Sequence, residues 1–248
     1  MPFDFDFIHL KEIDSTNNFA LNYITKTNPK EGFCIFTDYQ TAGKGQYGRN
    51  WVSDSCQNIL CSIILKPTHL SIDRLFELHI ITSLAIFKTL YDLSIKELKI
   101  KWPNDIFVGN NKIAGILIQN VIRGPKLVSS IIGIGINVNQ TEFTTNNSVS
   151  SIKIEKGHDI ERNLILANLH RNLMTYYIDL INQVPNQLIQ EYNDHLFYKN
   201  NEIQFKTKNE DLKNGRIVEV NSSGQLAIYS DDKLQHFDFG EVEIIYFE

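Results

Sequence analysis

The stretch AGKGQYGRNW, Ala42 to Trp51, sets Gly43, Gly45 and Gly48 in the spacing G-x-G-x-x-G, with Arg49 directly after them. Glycines let a backbone approach a ligand closely enough for its N–H groups to act as anion donors. Three further stretches carry polar groups where apolar runs end. KWPND (101–105) offers Asn104 and Asp105 side by side after a proline, KIAG (112–115) sets Lys112 just past a turn, and GIGIN (133–137) closes on Asn137. Cations, amides and exposed N–H groups brought to one place would stabilise phosphate or carboxylate charge as it develops in a reaction.

The glycine spacing has two usual owners, and neither fits. A dinucleotide turn needs a strand before it, a helix after it, and an acidic residue about 20 positions on. A strand-like run precedes (32–39), but RNWVSDSCQN has no helical period, and Ile63 to Thr68 contains no acid. Protein kinases share the spacing, and DFG at 238–240 and HRN at 170–172 imitate two more of their motifs. Yet Asn50 stands where the kinase loop has valine, and no V-A-I-K strand follows. Asp238–Gly240 also falls too near the end of this chain for an activation loop, and reads as a turn between strands.

The elements that must position these residues can be outlined. Ser15 and Thr16, good N-cap types, open a helical pattern in STNNFALNYI. GFCIFTDY (32–39) and NILCSIIL (58–65) read as strands on either side of the glycine loop, the second of them buried. SIDRLFELHIITSLAIFKTLYDL (71–93) reads as a long helix. From 97 to 138 the chain looks like an antiparallel meander: ELKIKW, DIFV, a turn at 109–111, KIAGILIQNV, a turn at RGP, then KLVSSIIGIGINV. Strand ends around such a meander can converge at one sheet edge. The segment 140–151 reads as a loop, and 161–181 and 185–196 as helices. From Glu202 onward short strands follow at tight spacing, with turns at 214–215, 221–224 and 230–232, the rhythm of a small barrel. The boundary falls near Phe197–Lys199, dividing the chain into 1–197 and 198–248.

Bulk properties narrow the partners. The 248 residues are 42% hydrophobic and 21% charged, ordinary for a globular protein. A net charge of −5 gives no broad basic face, so nucleic acid is not expected as a partner. Cys34, Cys56 and Cys61 are odd in number and form no CxxC, which suggests neither a disulfide framework nor a zinc site. The seven histidines show no metal-ligand spacing. No basic n-region opens the chain and no apolar run reaches about 18 residues. The expectation is a cytoplasmic protein without a membrane partner.

EIDSTN, QTAGKGQYGRNW, KWPNDIFVGNNKIAGIL and GIGINV, in this order, closely resemble the motifs of biotin–protein ligases, the family that includes biotin–[carboxyl-carrier-protein] ligases and holocarboxylase synthetases. The resemblance runs in motif form from about Glu12 to Asn139 and extends through the trailing helices to the small C-terminal barrel. It implies an α+β fold: a mixed, largely antiparallel sheet with helices, like class II synthetases, plus an SH3-like barrel. It also implies a two-step reaction. Biotin's carboxylate attacks the α-phosphate of ATP, with Mg²⁺ accompanying the nucleotide, to give biotinyl-5′-adenylate and pyrophosphate. A lysine of a biotin carboxyl carrier domain then attacks this anhydride and releases AMP.

Roles carried over from the family fall as follows. Ser15, Thr16 and Asn17 resemble the segment around biotin's ureido ring, and Gln40 another biotin contact. Lys44, Gly45 and Gln46 lie on the loop expected to close over biotin and phosphate. Arg49 matches a residue for phosphate charge and Trp51 one near adenine, while Asn104 and Asn137 match polar contacts to the adenylate. Lys112 matches the lysine that bridges biotin's carboxylate and the α-phosphate, and is the first candidate for the catalytic residue. Gly115 resembles a glycine that leaves room for the ligand, and Asp105 is a candidate for metal or for orienting the incoming lysine. Plain structural roles stand beside these: Ser15 as a helix cap, Trp51 and Trp102 as core aromatics, Lys112 as a solvated lysine, Asp105 as turn chemistry, Asn137 as a strand end.

The chain departs from the family inside the glycine loop, which in relatives often alternates glycine with arginine. Lys44 keeps the charge without the planar fork, Gln46 loses the charge, and Tyr47 departs as well. The position of Gln46 helps relatives retain the reactive adenylate. Some relatives carry an N-terminal helix-turn-helix repressor domain; with STN starting at residue 15, none is expected here. Relatives often form homodimers through the catalytic sheet, so a dimer is plausible. The nearest rivals are lipoate ligases, which lack KWPND in this form, and octanoyltransferases, which need a cysteine nucleophile that none of the three cysteines matches. A non-catalytic biotin or adenylate sensor is the rival from another class, and it need not keep Lys112.

Overall fold

A computed structural model describes residues 3–144, 148–182, 185–207 and 212–245. Seven strands form the main sheet: β1 (Phe7–Ile13), β2 (Phe33–Gln40), β3 (Ile59–Leu65), β4 (Leu98–Lys101), β5 (Asp105–Val108), β6 (Asn111–Arg123) and β7 (Lys126–Ile136). Their order is β1-β2-β3-β7-β6-β5-β4. Only β1 and β2 run parallel; every other pair is antiparallel. The meander expected over 97–138 is β4 to β7.

Two helical layers cover the sheet unequally. Helix α2 (Phe76–Tyr91) packs with α4 (Arg162–Ile181) over one face, where Cys61, Ile63, Leu65, Ile132 and Ile134 join the main core. The expected helix over 71–93 is shorter, because a 3₁₀ turn at Ile72–Arg74 precedes α2. Helix α1 (Thr16–Lys26) lies on the opposite face, where Ala20 meets Ile35, Ile64 and Ile131. This explains why every residue of β3, ILCSIIL, is buried: both of its faces are covered near the middle of the sheet. Beyond α1 the second face is left open, and the cleft described below lies there.

Short α3 (Ile152–Lys156) follows the loop 140–151, of which 145–147 lie outside the described residues. Helix α5 (Pro185–Asp194) leads into the second sheet: β8 (Glu202–Thr207), β9 (Leu212–Val220), β10 (Leu226–Ser230), β11 (Lys233–Phe237) and β12 (Val242–Ile245). Its order is β11-β10-β9-β8-β12, all antiparallel. The two end strands of that order are consecutive in the chain, joined by the tight turn at 238–241, so the sheet must curl until its ends approach. The DFG tripeptide sits in this turn, where the Glu241 amide donates to the Asp238 carbonyl at 3.0 Å.

The two sheets are stitched together at a few points. Ile100 of β4 bridges Leu196, and Lys199 bridges Ile217 of β9. Asn193 of α5 donates to the Val220 carbonyl (2.8 Å) and accepts from the Val220 amide (2.7 Å). Trp102, expected in the core, is buried there, and its Nε1 also donates to the Gly224 carbonyl of the second sheet at 2.9 Å. Among the described residues no helix is long and apolar enough to cross a membrane.

Candidate functional site

The register of the sheet fixes the floor of the cleft. Directly opposed residues on neighbouring strands point to the same face. The pairs Leu60↔Gly135, Gly135↔Gly115, Gly115↔Asp105 and Asp105↔Lys101 therefore form one row across five strands. A second row, Ser62–Gly133–Leu117, lies beside it. The first row and Gly133 and Leu117 of the second line the cleft, with Ser62 buried behind Asn17.

Lys112 reaches this face through an irregularity. Alternation from Gly115 and Leu117 would put Ile113 on the cleft face and Lys112 on the core face. The pairing of β5 with β6 slips between Ile106 and Phe107, so that Ala114 faces Ile106 while Lys112 faces Phe107. The extra residue, Ile113, is buried in the main core, and the bulge turns Lys112 to the cleft. Its Nζ lies 2.6 Å from Asp105 Oδ1 and 5.5 Å from the centre of the Trp51 ring. The backbone of Lys112 is held separately, by bonds to Ser148 and from Ser150.

The inner end of the cleft is polar and close-fitted. The Thr16 amide donates to Gln40 Oε1 at 2.8 Å. Ser62 Oγ lies 2.6 Å from Asn17 Oδ1 and 2.8 Å from Thr16 Oγ1. Asn17 Nδ2 donates to the Leu117 carbonyl and to Gln119 Oε1. Asn17 lies over Gly133, where any Cβ would collide with its amide. Ser15 occupies the N-cap position of α1, yet its side chain makes no cap bond, so capping does not occupy its hydroxyl.

The glycine loop bridges β2 and β3 rather than opening a long helix, as its flanking sequences imply. It is a small hairpin. Lys44 pairs with Asn50, the Gly45 amide donates to Arg49 at 2.7 Å, and the Trp51 amide donates to Gly43 at 3.0 Å. Its tip is a 3₁₀ turn, Gln46–Gly48, with Tyr47 in the left-handed region at φ 53°. The indole of Trp51 lies flat on the glycine row. A Cβ on Gly135 would fall 2.5 Å from Trp51 Cε2, and one on Gly115 2.8 Å from Cζ3. The room expected above Gly115 for a ligand is thus taken by Trp51 and the Lys112 ammonium. Trp51 Nε1 and Gln46 Oε1 are buried without hydrogen-bond partners among the described residues.

Charge in the cleft runs against the net charge of the chain. Lys44, Arg49, Lys101, Lys112 and Lys206 line it, against Asp105, Glu241 and Glu243. Burial lowers the pKa of Lys101; the neighbouring Lys112 and Arg49 lower it further, while Asp105 opposes them. Lys44 donates to Asn18 Oδ1 at 2.8 Å. The cleft holds about 1320 Å³, above the roughly 300–1,000 Å³ usual for a single small ligand, so it has room for two joined moieties.

Every residue to which the family resemblance assigns a role lines this cleft except Asn137; of the three loop glycines only Gly45 does. Asn137 is buried one residue beyond β7, and its Nδ2 donates to the Ser150 carbonyl at 3.0 Å. Asn104 lines the cleft while bracing β6 through Ile116. Asp105 meets Lys112, and among the described residues no group of three metal-ligating side chains surrounds it. The cleft also includes Tyr47, noted above only as a departure from the family loop, and residues not singled out: Lys101, Leu117, and Lys206, Phe239, Gly240 and Glu243 from the second sheet.

A family model described as the biotin/lipoate A/B protein ligase family matches residues 10–137. The chain is 31% identical over 180 residues to the bifunctional ligase/repressor BirA of Bacillus spizizenii, covering 68% of this chain and 55% of that one. It is 28% identical over 165 residues to the biotin–[acetyl-CoA-carboxylase] ligase of Mycobacterium tuberculosis, covering 65% and 60%. The chain therefore spans little more than half the length of these relatives. Its fold superposes on the biotin protein ligase of Aquifex aeolicus in complex with biotin and ATP, with a TM-score of 0.82, 24% identity, and 97% and 98% of the two chains covered.

Proposed function

Because the chain belongs to the biotin/lipoate A/B protein ligase family, we propose that it activates biotin as biotinyl-5′-adenylate and transfers it to a lysine of a biotin carboxyl carrier domain. The observation that carries this reading is the Lys112 bulge. It aims one ammonium into a cleft whose inner end is amide and hydroxyl and whose outer part is cationic.

The inner end favours biotin over lipoate. A ureido ring offers two N–H donors and one carbonyl acceptor, matched by the Ser15, Thr16, Asn17, Gln40 and Ser62 groups. A dithiolane offers no hydrogen bonds and gains nothing from this wall of amides and hydroxyls. The name borne by the Mycobacterium tuberculosis relative supports the same choice.

The chemistry follows from charge. Biotin's carboxylate and the α-phosphate repel each other as the new C(=O)–O–P linkage forms and the bond to pyrophosphate breaks. Lys112 sits where it can neutralise both, with Arg49 and Lys101 beside it for the phosphates. MgATP is the substrate form, and Asp105 provides one carboxylate near the phosphates, a donor set that suits Mg²⁺ carried largely by the nucleotide. In the second step the acceptor amine attacks the carbonyl carbon and AMP departs. The amine must first lose a proton, which Asp105 can accept once Lys112 turns to the ligand.

The test is biotin-dependent ATP–pyrophosphate exchange, followed by avidin detection of a carrier domain incubated with protein, biotin and MgATP. Lipoate and octanoate serve as competing acids. Exchange with biotin and labelling of the carrier are expected; exchange with lipoate alone, or none with any acid, overturns the reading.

A further inference from the structure

The tip of the glycine loop carries an unusual residue for its place. Tyr47 is 68% exposed and holds a left-handed backbone, which non-glycine residues disfavour. Its ring stacks on Phe239 of the second sheet, centroid to centroid 4.8 Å at 27°. Phe239 in turn meets Trp102 edge-on at 5.8 Å, and Trp102 is anchored to the Gly224 carbonyl. Gly240 completes the contact: its φ is +82°, and a Cβ there would lie 2.6 Å from Tyr47 Oη. Two exposed rings thus meet across the mouth of the cleft, one from each sheet.

The loop tip lacks the charge that could hold a phosphate. Gln46 is neutral with its Oε1 unpaired, Tyr47 is neutral, and Lys44 is engaged by Asn18. Resting on the ligase reading above, we propose that Tyr47 and Phe239 are positioning residues that clasp the glycine loop to the 238–241 turn. This contact keeps the adenylate in the cleft in place of arginine charge at the tip. The loop's own hairpin bonds hold its shape, so the clasp governs how firmly the hairpin as a whole is held against the 238–241 turn.

The loop contains two tryptic sites, after Lys44 and after Arg49, which give a readout independent of activity. Tyr47→Ala, at an exposed position, is expected to cleave there faster than the unsubstituted protein, by roughly 2- to 12-fold for an aromatic pair. Phe239→Ala should do the same, Phe239→Tyr should restore protection, and Tyr47→Ala/Phe239→Ala should be no faster than either single variant. In rapid-filtration assays of preformed adenylate the same variants should release it faster by a similar factor, with the KM for biotin raised by more than the kcat of exchange falls. Unchanged cleavage and release in both single variants would overturn the clasp, as would a double variant whose effects simply multiply. If the unsubstituted protein forms no adenylate, the ligase reading fails while the cleavage comparison still judges the contact.

Discussion

Replacing Lys112 by alanine separates chemistry from folding. The side chain is 29% exposed and its partner Asp105 19%, so the ion pair at 2.6 Å is screened and contributes at most about 1 kcal/mol to stability. The strand itself is secured by the backbone bonds to Ser148 and Ser150, which alanine retains. The effect on reaction is much larger. Removing one preorganised group aimed at developing charge costs about 2.7–4 kcal/mol, or 10²- to 10³-fold in rate. The variant also leaves Asp105 facing the anionic substrates alone, which should raise KM as well. The assay is biotin-dependent ATP–pyrophosphate exchange alongside urea unfolding. Lys112→Arg should recover only a fraction of the rate, because the planar fork must fit between Trp51 and Gly115. Exchange within threefold of the unsubstituted protein, or a rate loss explained by unfolding, would refute the role assigned to the bulge.

Three other outcomes follow from named contacts. Gly135→Ala should push the Trp51 indole into the cleft and weaken biotin binding at least tenfold by calorimetry, whereas Gly45→Ala, whose nearest contact would be 3.3 Å away, should bind nearly normally; equal affinities would contradict the glycine row. Asn193→Ala strands the Val220 amide and carbonyl and should cost about 2–4 kcal/mol in urea unfolding; a loss below 0.5 kcal/mol, on the same scale of about 1–3 per orphaned group, would show that the seam does not depend on it. Burial pushes the His79 imidazole down to about 4 from its usual 6.5. The unfolded chain then takes up its proton first, and stability should fall by about 1.4 kcal/mol per pH unit from near 6.5 down to about 4. His79→Leu should remove that contribution to the slope; identical pH dependence would refute it.

The residues of the cleft were legible because they cluster in short motifs at strand ends, and such motifs survive without knowledge of the register. What escaped depended on pairing. Lys101 heads KWPND in plain view, but its place on the cleft face follows only from the row that joins it to Asp105 and Gly115. The bulge at Ile113 leaves no mark in KIAGIL, since an apolar residue suits either register. Strand β1 was missed because FIHLKEI lies at a sheet edge, half exposed, and lacks clean alternation. Asn137 shows the opposite limit: it belongs to a motif, yet the chain uses its amide to hold Ser150. The contribution of the second sheet to the cleft was out of reach, because Tyr47 and Phe239 meet only through tertiary folding.

The arrangement divides two requirements of the proposed reaction between two kinds of element. Charge neutralisation needs cations held to fractions of an ångström, and Lys101 and Lys112, with Asp105 as the counter-charge, stand on paired strands with their backbones fixed. Holding a reactive anhydride away from water needs a cover that can open, and the glycine loop provides it, closed by side-chain contact rather than by ladder bonds. The cleft carries the cost of this arrangement in Lys101, held below its ordinary pKa, and in the buried Gln46 Oε1 and Trp51 Nε1, which have no partner among the described residues. An anionic ligand with hydrogen-bonding edges relieves each of these at once. Binding is therefore favoured by the groups that the fold itself leaves unsatisfied, and release must restore that state.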